Sequence, residues 1–137
     1  MPQKISKHIK DMVAEANSLV KTVSVEEAKA MHGREDVVFV DLRDPREQQR
    51  EGMLPGAFSC TRGMLEFWID PESPYAKPIF QEDKTFVFYC ASGWRSALAT
   101  RTAQEMGLSP VAHIEGGFGS WKSNDGAVEM PQPKPAK

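Results

Sequence analysis

A chain of 137 residues with 17 Lys and Arg against 19 Asp and Glu has the length of one domain and no surplus charge to hold nucleic acid or an anionic membrane. Hydrophobic residues at 40% and charged ones at 26% exclude wholesale disorder, and no run of about 18 apolar residues offers a transmembrane helix. Two cysteines are too few for a disulfide framework, and the lysine-bearing N-terminus lacks the apolar stretch of a secretory signal, so a cytoplasmic, reducing location is expected.

Ile5, Ile9, Met12, Val13, Ala16, Leu19 and Val20 recur at helical spacing, which predicts an amphipathic helix occupying residues 1–20. Its apolar stripe has two candidate partners: its own sheet, or a second subunit in a homodimer. Lys21-Thr22-Val23 reads as a short strand. Ser24 with Glu27 three residues on forms a capping box, predicting a helix from Val25 to Met31 that Gly33 ends. Val37-Val38-Phe39-Val40 has the unbroken β-branched character of a strand covered on both faces. Asp44-Pro45 opens a short charged helix through Glu51, and Gly52 to Gly56 is turn material before a short strand at Ala57-Phe58-Ser59. Arg62 to Ile69 reads as a helix and Asp70 to Pro78 as a proline-rich surface loop. Thr85 to Tyr89 predicts a buried strand, and Ala97 to Met106 a helix ended by Gly107. Pro110 to Ile114 reads as a last strand, and Gly116 to Trp121 as a turn into a final helix. Residues 124–137, with Pro131, Pro133 and Pro135, read as a flexible tail, which leaves 21–123 as the main domain. Strands alternating with helices predict an α/β fold with a mostly parallel central sheet, helices on both faces, and a site at the carboxyl ends of the strands.

At one such end stands Cys90-Ala91-Ser92-Gly93-Trp94-Arg95-Ser96. A cysteine that opens a tight loop before a helix N-terminus lies among backbone N–H groups that favour an anion, so Cys90 is the candidate nucleophile. Arg95 adds positive charge for an anionic ligand. Cys60, with Arg62 as its basic neighbour, reads as structural. His113 lies in an apolar strand and reads as a satisfied core histidine, while His8 and His32 read as helix-surface residues. None has a metal-ligand partner at useful spacing, so neither metal nor cofactor is expected. Met64, Leu65, Phe67, Trp68 and Trp121 read as core.

These motifs, in this order, resemble those of the single-domain rhodaneses, sulfurtransferases of the α/β fold. Cys90-x-x-Gly93-x-Arg95-Ser96 follows the family's active-site pattern. Asp41-Leu42-Arg43, Gly52-x-x-Pro55-Gly56-Ala57 and Gly116-Gly117-Phe118-x-x-Trp121 match its other markers, over residues 22 to 123. The chain departs from the pattern at Met53, where the family commonly has His, and at Gln48, where an aromatic is usual. The resemblance implies a persulfide cycle, in which a donor such as thiosulfate passes its outer sulfur to Cys90 and cyanide or a thiol removes it. A thiol-bearing protein is a further acceptor of the same chemistry. The resemblance gives the backbone N–H groups of Ala91 to Ser96 the persulfide to cradle, and Arg95 the anionic donor or leaving group. Gly93 would permit the tight loop, Trp94 shape the pocket mouth, and Ser96 cap the following helix and set a hydroxyl near the sulfur. Asp41 and Arg43 fall in the supporting shell as a structural ion pair.

Two rivals are carried forward. Cysteine-dependent phosphatases and arsenate reductases also place a cysteine between strand and helix, but four residues separate Cys90 from Arg95, one fewer than in phosphatases of that type. The smaller ring suits a single sulfur better than a tetrahedral phosphoryl group. Non-catalytic rhodanese interaction modules lack the cysteine that this chain keeps.

Overall fold

The computed structural model describes residues 2–131. Its strands are β1 (Lys21–Val23), β2 (Val37–Asp41), β3 (Phe58–Ser59), β4 (Thr85–Tyr89) and β5 (Val111–Ile114). They form a single parallel sheet in the order β1-β5-β4-β2-β3. Around it lie α1 (Ile9–Leu19), α2 (Val25–Met31), α3 (Pro45–Glu51), α4 (Leu65–Ile69), α5 (Trp94–Met106) and α6 (Gly117–Ser123). This is the α/β architecture expected from the alternation of patterns. No described helix is long and apolar enough to cross a membrane.

Side-chain alternation along β4 divides the core. Val87 and Tyr89 join Phe39, Leu54, Ala28, Phe118 and Trp121 on the face covered by α2 and α6. Phe86 and Phe88 join Val40, Leu65, Phe80, Ala99 and Ala103 on the face covered by α4 and α5. Each such aromatic or leucine contributes about 1.5–3 kcal/mol of burial. Register then fixes the carboxyl edge. Asp41 lies opposite Tyr89 and Ser59, and His113 opposite Phe88 and Thr22, so these residues gather at one end of the sheet beside Cys90.

Several boundaries differ from expectation for identifiable reasons. The N-terminal helix starts at Ile9, because His8 caps it in a reciprocal arrangement with Asp11, and Ile5 is left 63% exposed. Its buried residues, Val13 and Ala16, pack on Ala97 of α5 and not on the sheet, while Ile9, Met12 and Leu19 stay exposed. The helix expected over Arg62 to Ile69 begins as a 3-10 turn at Arg62–Met64, where Gly63 is a poor helix former. A second 3-10 turn, Pro78–Gln81, closes the loop that follows.

The expected flexible tail needs correction where it is described. Met53 and Glu129 exchange backbone hydrogen bonds of 2.8 and 2.9 Å, the Glu129 carboxylate accepts from the Gly56 N–H, and the Trp121 indole N–H donates to the Ala127 carbonyl. Residues 124–131 are thus strapped across the turn after α3; 132–137 lie outside the described residues.

Candidate active site

Cys90 leaves the end of β4 and is 1% exposed. Gly93, at φ +106°, reverses the chain so sharply that α5 begins at Trp94 rather than Ala97. Trp94, Arg95 and Ser96, expected in the loop, therefore form the first helical turn. The Cys90 sulfur accepts the backbone N–H of Gly93 at 3.1 Å and of Ser96 at 3.3 Å. Sulfur occupies the place of an N-cap side chain, and the partial positive charge of a 13-residue helix is directed at it. Ser96 does not cap this helix: its hydroxyl lies 3.3 Å from the Gly93 carbonyl, 2.8 Å from His113 Nδ1 and 3.6 Å from the sulfur. Ala91, Ser92 and Trp94 form the exposed rim.

The Gly116-Gly117-Phe118 turn grips this loop from the far side. Phe118 N–H donates to the Cys90 carbonyl at 2.7 Å, and Gly119 N–H to that of Ala91 at 3.0 Å. Gly117 has φ +62°, and a Cβ there would lie 2.9 Å from the Ala91 carbonyl carbon. Only glycine lets α6 approach the nucleophile's backbone this closely.

Charge is paired on both sides of the loop. Arg95 makes a bidentate pair with Glu47 at 2.8 and 2.9 Å. That pairing, with a smaller contribution from the Cys90 sulfur, holds the guanidinium charged, and it holds the Glu47 carboxyl down to about 2. Glu47 also closes a capping box with Asp44 at the start of α3. Deeper in, Arg43 donates to both Asp41 oxygens at 3.0 and 2.8 Å and to the Gly52 carbonyl, with Asp41 and Arg43 each almost fully buried. Tyr89 O–H donates to Asp41 at 2.8 Å, and the Arg43 guanidinium lies 4.2 Å from the Phe118 ring centre. This cluster ties β2, β4 and α6 together directly beneath the loop.

Sequence reasoning missed Glu47, Tyr89, Phe118 and His113 as contributors. Glu47 had a signal, since Asp44-x-x-Glu47 is the same capping pattern as Ser24-x-x-Glu27. Cys60 stays apart in the α4–α5 core, where burial pushes its thiol up to about 12. Gln48, the departure in α3, is buried and donates to the Ser59 hydroxyl at 2.8 Å, stitching α3 to β3. Among the described residues no three His, Cys, Asp or Glu side chains gather at metal-binding spacing. Two cavities flank the loop. One of about 300 Å³ carries Arg50 and Lys122 beside Ala91, and one of about 360 Å³ opens between Trp94, His113 and α1. A hollow of about 370 Å³ between α1 and α5 contains no loop residue.

The rhodanese-like domain model matches residues 24–124. The chain is 30% identical to the thiosulfate:glutathione sulfurtransferase of Saccharomyces cerevisiae over 80% of its own length and 83% of the yeast protein. It is 27% identical to the thiosulfate sulfurtransferase GlpE of Pseudoalteromonas translucida, over 75% of its own length and 90% of that protein. A solved structure from Rhodopseudomonas palustris, a protein of unknown function and possible tyrosine phosphatase, is 66% identical. It superposes with a TM-score of 0.92, covering 94% of this chain and 99% of the other.

Proposed function

Because the chain belongs to the rhodanese-like domain family, we propose that it is a sulfurtransferase, moving a sulfane sulfur from a donor such as thiosulfate to cyanide or a thiol through a persulfide on Cys90. The observation that carries this reading is the Cys90 sulfur, seated on the N-terminus of α5 with the Gly93 and Ser96 N–H groups aimed at it. In the first half-reaction the thiolate attacks the outer sulfur of thiosulfate; a sulfur–sulfur bond forms to Cys90 and sulfite leaves with the electron pair. In the second, cyanide or a thiolate takes the outer sulfur and returns Cys90 as thiolate. Charge is conserved in both steps. The loop donors and the helix N-terminus stabilise the anion carried on sulfur throughout. Arg95, tempered by Glu47, supports the anionic donor and the departing sulfite, and the adjoining cavity holds Arg50 and Lys122 with Glu51, the ion-pair partner of both.

Intact-mass analysis after thiosulfate treatment is expected to show one added sulfur, released by cyanide as thiocyanate and absent in Cys90→Ala. No added sulfur, or one that persists without Cys90, overturns the reading. Competition between cyanide, small thiols and a thiol-bearing protein then ranks the acceptors. A second reading is favoured by one observation, the likeness to the possible tyrosine phosphatase from R. palustris. Turnover of p-nitrophenyl phosphate that disappears in Cys90→Ser would establish it instead. The homodimer is a separate proposal, supported by the exposed Ile9, Met12 and Leu19 of α1; a monomeric mass at all concentrations in sedimentation would end it.

A further inference from the structure

Behind the loop runs a hydrogen-bonded chain that sulfur transfer, as written above, does not use. The Ser96 hydroxyl faces the Cys90 sulfur on one side and His113 Nδ1 on the other. The second ring nitrogen, Nε2, lies 2.9 Å from Oδ1 of Asn17 and 3.3 Å from the Thr22 hydroxyl. Elements α5, β5, α1 and β1 therefore meet on one imidazole that is 2% exposed. Burial pushes its pKa down to about 4, so at neutral pH the ring carries one N–H and one lone pair. With Nε2–H donating to the Asn17 oxygen, Nδ1 must accept from the Ser96 O–H. The Ser96 oxygen then turns a lone pair toward the sulfur, which suits a thiol donating S–H.

We propose that His113 is a positioning residue for Cys90, setting the direction of the Ser96 hydroxyl, and that Asn17 of the N-terminal helix in turn sets His113. The inference deepens the reading above and rests on Cys90 as the nucleophile. As the thiol ionises the chain reverses. The S–H bond breaks and its proton joins Ser96 Oγ, the original hydroxyl proton moves to Nδ1, and the Nε2 proton passes to solvent water in the cavity beside Thr22 and Asn17. One proton leaves, and the ring is neutral before and after. In the reversed state Nδ1–H donates to Oγ, the hydroxyl donates to the sulfur anion, and Nε2 accepts from the Thr22 hydroxyl. Ser96, the ring and Thr22 keep a partner in both states, and Asn17 keeps one by rotating its amide so that the NH₂ group, in place of Oδ1, faces Nε2. Without His113, the hydroxyl's remaining partner is the Gly93 carbonyl, which draws the donor away from sulfur.

The groups facing this chain are few. Arg95 faces the sulfur with its charge balanced by Glu47; Asn17, Thr22 and Ser96 face the ring, and Glu115 shares its cavity. The test is the pH dependence of Cys90 alkylation by iodoacetamide, with site counting by intact mass; buried Cys60, its thiol pushed up to about 12, stays silent. His113→Leu is expected to raise the midpoint by about one pH unit, making alkylation about tenfold slower at neutral pH. Asn17→Ala moves it the same way by less. His113→Gln, whose amide donates to Oγ and accepts from Thr22, stays near the wild type. Adding His113→Leu to Ser96→Ala produces no further shift. An unmoved midpoint in His113→Leu, or equal shifts in the Leu and Gln variants, overturns the proposal. If circular dichroism shows His113→Leu unfolded, Asn17→Ala on the exposed surface of α1 decides, and an unmoved midpoint there is equally fatal. Alkylation needs no sulfur donor, so a shifted midpoint in a protein that gains no sulfur from thiosulfate rejects sulfur transfer and retains the positioning.

Discussion

Glu47 serves Arg95 and the start of α3 with one carboxylate, and so sets how much positive charge a donor meets at the mouth of the loop. Glu47→Gln keeps a side chain able to close the capping box but removes the negative charge. The Michaelis constant for thiosulfate is expected to fall several-fold in that variant, with turnover changed less; an unchanged constant would place Arg95 outside donor binding. The same pair has a pH signature. Glu47 is depressed from 4.5 to about 2, mainly by the Arg95 hydrogen bonds, so its contribution to stability is complete above about pH 4.5 and is lost as pH falls toward 2. Urea unfolding across that window is expected to show the wild type losing stability relative to Glu47→Gln. Residues of this kind escaped sequence reasoning because their partners are distant: Glu47 lies 48 positions from Arg95, and Asp41 lies 48 from Tyr89. Asp41 and Arg43, two apart at one strand end, were legible as a pair through the family resemblance of the Asp41-Leu42-Arg43 motif. Tyr89 enters only through strand register, and Asn17 only through the packing of α1 on α5.

Among the elements, α6 contributes an anchor for the loop more than a covering for the sheet. Gly117→Ala tests this against a control glycine. Gly33, at φ +89° with nothing within 4 Å of a built Cβ, isolates the backbone strain, and Gly33→Ala is expected to cost about 1–2 kcal/mol. Gly117→Ala adds a collision with the Ala91 carbonyl and is expected to cost roughly 1–3 kcal/mol more, seen as a lower urea midpoint. It also dislodges the Cys90 carbonyl and with it sulfur loading, whereas Gly33→Ala loads sulfur normally. Equal losses in the two variants would mean that the collision is relieved elsewhere. The elements themselves were largely legible. Apolar runs located β2, β4 and β5, because a parallel sheet covered on both faces needs them, and the short β1 and β3 were read from the capping box and the turn beside them. The start of α5 was not legible, since its first turn, Trp94-Arg95-Ser96, has no apolar period and is helical because Gly93 turns the chain into it.

For the whole molecule, the segment 124–131 is the plainest case of structure without a compositional sign. Its polar residues and terminal Pro131 read as tail, yet a backbone bridge to Met53 and a carbonyl for the buried Trp121 indole hold it down. A chain ending at Ser123 is expected to lose about 1–3 kcal/mol, the range for a buried donor left without its acceptor, measured by urea unfolding. An unchanged midpoint would show the strap to be idle. The sheet order carries one more consequence. Its two margins are β1 and β3, only three and two residues long, so another polypeptide finds almost no free backbone ladder to extend. Open parallel sheets are exposed to runaway strand addition while they fold, and here the two outermost positions are the shortest strands of all. A second copy of this molecule that settles against the first must meet it through helices and side chains.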